Sequence, residues 1–376
     1  MNSPPLVGRG TLSNPDGRFE TQRRAALDDD AVGDWSQWDD AEDERRPRTT
    51  VTEEACKTII SRNDSPDVPF NRSLNPYRGC EHGCVYCFAR PSHGYWGWSS
   101  GLDFETRIVS KPNAADVLRG ELSKAGYRCE AFALGSNTDP YQPVERTLGV
   151  TRRLLEVLLE TRHPVGIVTK SHGILRDREL LVELARQRLV HVYISVTTLD
   201  EDLARRMEPR ASAPHRRLRA IESLARDGVP VGVLVSPIIP GLNDTEIERI
   251  LEVSRAAGAT RSGSHLVRLP HEVKDLFVEW VEHHYPDRAA RVLARIRECV
   301  NGTPEPSGRL YNPVFGQRMR GQGTYAALLR QRYELAVRRL GYARTPFDFD
   351  TTAFSRPLPP PTPSRQSRQL PLFRDG

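Results

Sequence analysis

Short apolar runs alternate with stretches of helical periodicity from about residue 70 to residue 300, and this alternation restricts the fold more than any other feature. The runs are rich in β-branched residues, which favours strands. Five of them span 129–135, 164–170, 189–196, 229–236 and 264–269, and a further strand is predicted at 73–78. The intervening stretches carry helix caps and apolar faces, as in 113–126, 176–187, 216–228 and 243–258.

Six strands, each followed by a helix, predict a parallel sheet, because neighbouring parallel strands need crossover connections. Right-handed crossovers would wind these strands into an open sheet or a barrel. In either arrangement the chemistry belongs at the carboxyl ends of the strands. The cysteine-rich segment 80–87 follows the first predicted strand, so we expect it at that edge.

The regions outside this core differ from it in charge and composition. The chain divides into five parts: a disordered acidic arm (1–50), a lead-in segment (51–69), a core (70–300), a basic helical extension (301–350) and a Pro-rich disordered tail (351–376). Residues 28–44 carry nine acidic residues and no basic one, although the formal net charge of the chain is +5. Either this arm competes with nucleic acid for the basic remainder, or it is simply solvated. The arginines of the predicted basic helix are Arg330, Arg332, Arg338 and Arg339.

Three of the six cysteines, Cys80, Cys84 and Cys87, lie within eight positions. The chain shows no apolar signal segment and no run long enough to span a membrane, so we expect a cytoplasmic protein, in which clustered cysteines usually bind metal. A structural zinc site needs four ligands, and here His82 and His93 would have to replace the missing partner of the Cys84–Cys87 pair. Three thiolates in one loop favour instead a four-iron cluster held at three corners, with one iron open to a further ligand.

The spacing Cys-x-x-x-Cys-x-x-Cys, with an aromatic residue before the last cysteine, resembles the signature of the radical S-adenosylmethionine (SAM) superfamily. Further segments are similar to the branch related to spore photoproduct lyase, loosely called DNA repair photolyases. They are NPYRGCEHGCVYC at 75–87, GSNTDPYQPVE at 135–145, VTKS at 168–171, SVTTLDEDLARRMEPRASAPHRRL at 195–218 and SPIIPGLND at 236–244. The resemblance covers residues 55–345 and implies a partial (β/α)6 barrel of the TIM type.

The resemblance also implies the cofactors. A 4Fe-4S cluster bound by Cys80, Cys84 and Cys87 would chelate S-adenosyl-L-methionine through its open iron and cleave it to methionine and a 5′-deoxyadenosyl radical, which takes hydrogen from the substrate. The residues matched to the cofactor are Tyr86 beside the adenine, Ser136 and Asn137 towards the methionine amino group, Lys170 and Ser195 at contact positions, and Arg210 as partner of the carboxylate. A flavodoxin or ferredoxin is expected as the reductant.

Structural alternatives stand beside several of these roles. Lys170 can be a solvated strand end, Ser195 a serine bonded to backbone, and Asp139 the residue of a turn. The hydrogen-donating cysteine of the lyase has no counterpart in LGSNTD at 134–139, while Cys129 is predicted at the opposite end of that strand. The resemblance therefore implies SAM cleavage but does not imply repair of thymine dimers.

Two further segments bear on the substrate and partners. The aromatic stretch 92–111 could stack on a base or cover the cofactor, or could pack onto the barrel through Trp96 and Trp98. A short peptide in the tail resembles the motif with which bacterial replication and repair proteins bind the DNA sliding clamp, through Gln369, Leu370, Leu372 and Phe373. The alternative is an apolar chain end without a partner.

Together these features predict a lyase-like radical SAM enzyme that abstracts hydrogen, with nucleic acid as the favoured substrate and DNA repair or modification as the favoured role. A radical SAM enzyme acting on a protein or a small molecule is one alternative. A non-catalytic iron–sulfur or zinc module of a repair complex is the other.

Overall fold

Six parallel strands form the centre of the structure, a computed structural model that describes residues 8–19, 47–305 and 307–358. The strands of these residues are β1 (Thr50–Glu53), β2 (Ile60–Arg62), β3 (Arg72–Leu74), β4 (Tyr77–Arg78), β5 (Arg107–Ser110), β6 (Phe132–Leu134), β7 (Val165–Thr169), β8 (Val190–Ser195), β9 (Val231–Ile238) and β10 (Arg261–Leu266). One sheet has the order β10-β9-β8-β7-β6-β3-β2, with all neighbours parallel except β2 and β3. The predicted α/β fold with six parallel strands is confirmed.

Helices connect the strands and cover the outer face of the sheet. The α-helices of the described residues are α1 (Leu102–Thr106), α2 (Ala114–Leu122), α3 (Glu145–Leu148), α4 (Val150–Glu160), α5 (Arg178–Arg186), α6 (Glu201–Met207), α7 (Pro214–Arg226), α8 (Ile247–Ala256), α9 (Val273–His284), α10 (Pro286–Asn301) and α11 (Gly323–Arg339). Short 3₁₀ helices span Arg90–Trp96, His172–Asp177 and Asp244–Glu246. Within the described ranges, no helix combines the length and the apolar character needed to cross a membrane.

Alternate residues of each strand face the helices and the barrel interior. In β8, Val192 and Ile194 belong to the helix-side core, so His191 and Ser195 lie on the interior face. His191 is at the amino end of that face, where its ring packs against Phe347, with 5.0 Å between the ring centroids. Residues that follow α11 therefore close the amino end of the interior, and the carboxyl end is left for the site.

Two strand boundaries differ from the prediction. The first predicted strand, 73–78, is divided, because Pro76 has no N–H with which to continue a ladder. β3 joins the large sheet, whereas β4 pairs with β5 in a second sheet of order β1-β5-β4. The last strand begins at Arg261 rather than Ser264, since its first four residues already pair with β9 before the register shifts near Leu266.

Two segments predicted to be disordered are packed in part, which corrects the prediction. Residues 8–19 of the arm lie against the segment that follows β4, where Thr11 is fully buried. Residues 351–358 of the tail continue along the barrel, and the Ser355 N–H donates to the Thr161 carbonyl at 2.8 Å. The acidic segment 28–44 and the proposed clamp peptide, with Gln369, Leu370, Leu372 and Phe373, lie outside the described residues.

The predicted basic helix is present as α11, but part of its charge is paired with α8. Arg332 lies 2.6 Å from Glu248, and Arg339 lies 2.6 Å from Glu252. These side chains therefore hold the extension against the barrel. The helix presents less free positive charge than its sequence suggests.

Candidate active site

The cysteine loop, residues 79–87, follows β4 and folds back on itself. The Gly83 N–H donates to the Cys80 carbonyl at 3.3 Å, and the Cys87 N–H donates to the Cys84 carbonyl at 3.1 Å. Gly83 has a φ of +66°, a conformation that glycine adopts without strain. Cys80 and Cys84 are buried and Cys87 is half-buried, so the loop turns its cysteines away from bulk water.

The three thiols are close enough to influence one another. Burial raises the pKa of Cys80 well above its usual value, and Asp139, Cys84 and Cys87 raise it further. Burial also raises the pKa of Cys84, while the Lys170 ammonium lowers it. Three thiolates in this environment need compensating positive charge, which bound iron supplies. The donor set therefore fits a [4Fe–4S] cluster held at three corners.

The two histidines considered as zinc ligands have other partners. Nε2 of His93 lies 3.0 Å from the Arg107 carbonyl oxygen, and Nδ1 of His82 lies 3.3 Å from Oδ2 of Asp139. In the part of the chain that the structure describes, no three His, Cys, Asp or Glu side chains converge to hold a single ion. Thiolates that each bind a different iron need not converge on one point. The geometry therefore favours a cluster over a zinc knuckle.

A buried ion pair supports the cysteine loop. Nη2 of Arg90 lies 2.6 Å from Oε1 of Glu105, and neither side chain is exposed. Arg90 Nε also donates to the Cys84 carbonyl at 2.9 Å. On the other side, a Cβ atom added to Gly83 would lie 2.6 Å from Oε2 of Glu105. Sequence reasoning gave Arg90 and Glu105 no role, yet the shape of the loop depends on both.

Tyr86 is held by a buried polar network. Its hydroxyl donates to the Glu208 carboxylate, which also accepts hydrogen bonds from the Thr197 hydroxyl at 2.8 Å and from the Arg217 guanidinium. Nζ of Lys170 lies 5.9 Å from the centroid of the Tyr86 ring. The structure therefore brings together two of the sequence-predicted residues, Tyr86 and Lys170. Glu208 and Arg217, which orient Tyr86, were missed.

Asp139 does more than shape a turn. Its Oδ1 accepts a hydrogen bond from the Thr169 hydroxyl at 2.6 Å, and its Oδ2 accepts one from the Lys170 N–H at 2.8 Å. Burial raises the pKa of Asp139, but His82 and the hydrogen bonds from Thr169 and Lys170 lower it more, to about 2. An ionised carboxylate thus ties the loop after β6 to the end of β7 and to the cysteine loop.

Three other predicted cofactor residues lie at the same edge. Ser136 and Asn137 are half-buried in the loop that follows β6, next to Asp139. Ser195 is buried at the end of β8, and its carbonyl accepts a hydrogen bond from Arg217 at 3.2 Å. The contacts of these three residues with SAM stay predictions.

Arg210 is engaged with the cysteine loop. Its Nη2 lies 2.9 Å from Oε1 of Glu81, the residue after Cys80. Glu81 also accepts hydrogen bonds from the Thr49 hydroxyl at 2.6 Å and the Val144 N–H at 2.7 Å. The guanidinium is thus fixed near the site by another carboxylate. Its predicted contact with the SAM carboxylate would have to use its remaining N–H groups.

His265, near the end of β10, was not predicted as a site residue. Its backbone N–H donates to the Ser236 hydroxyl oxygen at 3.0 Å. Burial, together with the nearby charges of Arg268 and Lys170, lowers the pKa of His265 to about 4. A neutral imidazole thus lies near the Lys170 ammonium. The available signal was a histidine inside the apolar run 264–269.

The aromatic stretch divides between packing and exposure. Trp98 packs against His93, with 5.2 Å between ring centroids, and the Arg107 guanidinium lies 4.6 Å from the Trp98 ring. Trp96 and Tyr95 are 37% and 75% exposed. Trp96 also packs, because the Arg78 guanidinium lies 4.4 Å from its ring and the Trp98 centroid lies 6.0 Å away. Packing onto the barrel therefore describes both Trp96 and Trp98, whereas Tyr95 is mostly exposed and stacks on Phe19 at 5.6 Å.

Known proteins are similar to this chain in sequence or in fold. Residues 74–253 match the family described as the Radical SAM superfamily. An uncharacterised protein of Mycobacterium tuberculosis is 35% identical over 258 residues, which cover 68% of this chain and 75% of the relative. A radical SAM Nα-GlyT isomerase of Pseudomonas phage M6 is 25% identical over 186 residues, which cover 49% of this chain and 36% of the isomerase.

The fold is also similar to that of spore photoproduct lyase. A solved structure of that lyase, complexed with dinucleoside spore photoproduct, has a TM-score of 0.51 and 14% identity, covering 78% of this chain and 80% of the lyase. At this identity the likeness concerns the fold, and it confirms the partial barrel. The matched family region contains the cysteine loop, Asp139, Lys170 and Glu208. The chain belongs to the radical SAM superfamily.

Proposed function

We propose that this radical SAM enzyme abstracts hydrogen from nucleic acid, in a reaction of DNA repair or modification. Membership of the superfamily implies a [4Fe–4S] cluster and SAM, and with them radical chemistry. When bound, the reduced cluster supplies the electron that cleaves SAM and so generates the hydrogen-abstracting radical. The lyase of similar fold is complexed with a dinucleoside, which supports the same substrate class by analogy.

Side chains around the cysteine loop are suited to hold SAM. Tyr86, whose hydroxyl is fixed by Glu208, offers an aromatic face to the adenine. Arg210 and the loop with Ser136 and Asn137 offer hydrogen bonds to the carboxylate and amino groups of the methionine part. These residues would orient the cofactor without taking part in electron transfer.

The main support for a nucleic acid substrate is a set of exposed aromatic rings that each lie beside an arginine. Phe88 follows the ligand Cys87, is 42% exposed and lies 5.1 Å from the Arg268 guanidinium. Phe315 is 55% exposed and lies 4.3 Å from the Arg318 guanidinium. Aromatic faces stack on bases of any sequence, and arginines bind phosphates. Two such faces flank the edge at which the cysteine loop lies.

The face with Phe315 is built to a fixed shape beside β10. The carbonyl of Met319 accepts a hydrogen bond from the Leu266 N–H at 3.0 Å, and Arg318 is paired with Asp67. Arg268, two residues beyond β10, lies between this segment and Phe88. Residues 307–322 contain three arginines and no acidic residue, so the segment keeps a positive charge even with Arg318 paired to Asp67. An anionic, base-containing substrate is therefore the class that this surface fits.

Transfer of isotope tests the substrate class. The full chain would be reconstituted with iron and sulfide without oxygen, reduced with dithionite and incubated with SAM and perdeuterated DNA carrying ultraviolet and alkylation damage. We expect DNA to stimulate 5′-deoxyadenosine formation and deuterium to appear in that product. Deuterium transferred from perdeuterated peptides or metabolites, and none from DNA or RNA, would contradict the nucleic acid class.

A variant separates the cofactor chemistry from the substrate question. Cys84→Ala removes one cluster ligand, so we expect it to lose both iron and 5′-deoxyadenosine formation. Cys129→Ala, at the other end of the barrel, removes a cysteine without touching the loop and should retain both. A parent protein that binds zinc, or that binds iron and never cleaves SAM, would favour a non-catalytic module.

A further inference from the structure

Glu105 is a buried carboxylate that joins the amino-terminal residues to the cysteine loop. We name residues 8–19 the strap. Oε1 of Glu105 accepts hydrogen bonds from the N–H and the hydroxyl of Thr11, both at 3.0 Å, and Oε2 accepts one from the Gly10 N–H at 2.9 Å. Its other partner is Arg90, which donates to Cys84. The strap and the loop therefore share one carboxylate, with no exposed surface.

Arg9 makes a second connection. Its Nη1 donates to the Glu105 carbonyl at 2.9 Å, and its Nη2 donates to the Thr49 hydroxyl at 3.1 Å. The Thr49 hydroxyl in turn donates to Glu81 at 2.6 Å. Because Glu81 adjoins Cys80 and pairs with Arg210, this route reaches the opposite side of the same loop.

Backbone packing makes the third connection. A Cβ atom added to Gly10 would lie 1.6 Å from the Gly83 carbonyl oxygen, so the two chains touch where no side chain fits. Gly83 lies immediately before Cys84. The strap therefore contacts the cysteine loop directly, in addition to the hydrogen bonds between Asn14 and Asp103 of α1.

We propose that the strap is part of the cluster-binding site, with Arg9 and Thr11 as positioning residues. Through Glu105 and Glu81 they hold Cys80 and Cys84 in the ligating arrangement before the cluster is bound. Such support matters because ligands held by a fixed surrounding shell bind metal with less reorganisation. The proposal rests on the cofactor part of the proposed function and is independent of the substrate.

Thiol labelling of the cluster-free protein tests this proposal. Thr11→Val keeps the shape of the side chain but removes the hydroxyl that Glu105 accepts. We expect a maleimide to label Cys80 and Cys84 about tenfold faster in this variant, because the loss of one buried hydrogen bond makes local opening of the loop more frequent by about that factor. Thr11→Ser restores the hydroxyl and should label within about twofold of the parent rate.

The matched control is Thr161→Val, which makes the same change at another fully buried threonine. The Thr161 hydroxyl donates to the Val157 carbonyl at 2.8 Å, at the amino end of the barrel. We expect this variant to label like the parent, even where its thermal unfolding is shifted. Equal acceleration in both Val variants would show a general loss of stability and would overturn the proposal.

Reconstituted protein gives a second readout. Thr11→Val should release iron to a chelator faster and broaden the electron paramagnetic resonance signal of the reduced cluster, and Thr11→Ser should restore both. If Thr11→Val fails to fold, Arg9→Lys is the second variant, because it loses the two-pronged contact of the guanidinium with the Glu105 carbonyl and the Thr49 hydroxyl. It should also label faster than the parent. Parent-like labelling and spectra in every strap variant would overturn the strap proposal alone. A parent that binds no cluster would overturn the cofactor assignment with it.

Discussion

The guanidinium of Arg90 lies 2.6 Å from the carboxylate of Glu105, and neither side chain has accessible surface. Removing both charges from water is costly, so such a pair adds less to stability than its distance suggests. Losing one partner is different, because the other charge is then left buried and unpaired. This pair links the ligand loop to the folding of the surrounding chain.

Arg90→Met should lower the free energy of unfolding of the cluster-free protein by about 3–5 kcal/mol, the usual cost of breaking a buried pair. Adding Glu105→Gln removes the uncompensated charge and keeps one oxygen that accepts from Thr11, although the Gly10 N–H loses its acceptor. The double variant should therefore recover part of the loss. Urea unfolding followed by circular dichroism measures the free energy of unfolding of the single and double variants. If the losses caused by the two substitutions simply add, the two side chains are not coupled and the prediction is wrong.

Tyr86→Phe should weaken SAM binding by about tenfold, because the ring loses the hydrogen bond that fixes its orientation against Glu208. Equilibrium dialysis of reconstituted protein with labelled SAM measures the dissociation constant. Tyr193→Phe, on β8, is the matched control and should bind like the parent. An unchanged affinity in Tyr86→Phe would show that the hydrogen bond to Glu208 does not orient the ring for SAM binding.

Lys170→Met should raise the pKa of the Cys84 thiol, since the ammonium opposes the upward shift caused by burial. The pH profile of alkylation of Cys84 in the cluster-free protein would then move to higher pH. Lys124→Met removes an exposed lysine beyond α2 and should leave the profile in place. A profile that moves to lower pH in Lys170→Met would contradict the geometry.

His191→Phe should reduce the loss of stability in acid. Burial, with a smaller effect of Arg261, lowers the pKa of His191 from 6.5 to about 4. Between these values the unfolded chain binds a proton that the folded chain does not, so stability falls as the pH falls. At pH 5 this amounts to about 2 kcal/mol. Urea unfolding at pH 7.5 and at pH 5 gives the free energy of unfolding at each pH, and this free energy should fall less between the two for His191→Phe than for the parent. An equal fall in both proteins would contradict the prediction.

The sequence predicted the six strands because short apolar runs, most of them rich in β-branched residues, alternate with helical stretches. Its errors lie where tertiary pairing decides. Pro76 ends β3 and lets β4 join another sheet, and β10 starts at Arg261 because β9 offers partners there. The packing of residues 8–19 could not be read from a polar, glycine-containing segment, since its partners are far away in the chain.

The site shows the same division. Cys80, Cys84 and Cys87 are recognisable from spacing, because one loop must supply all three thiolates. Glu105 and Glu208 carry no local pattern, and their roles come from burial beside Arg90 and Arg217. For Asp139 the sequence left a turn as an alternative role, because its contact with His82 joins segments that are distant in sequence. Supporting residues are hard to predict because they act through long-range contacts.

The close approach of Gly10 to Gly83 has a practical consequence for anyone who shortens or tags this protein. A truncation at the start of the barrel, near residue 70, would uncover the backbone of Gly83 and strip Glu105 of three hydrogen-bond donors. Recombinant protein should therefore keep residues 8–19, even where the catalytic barrel alone is the aim.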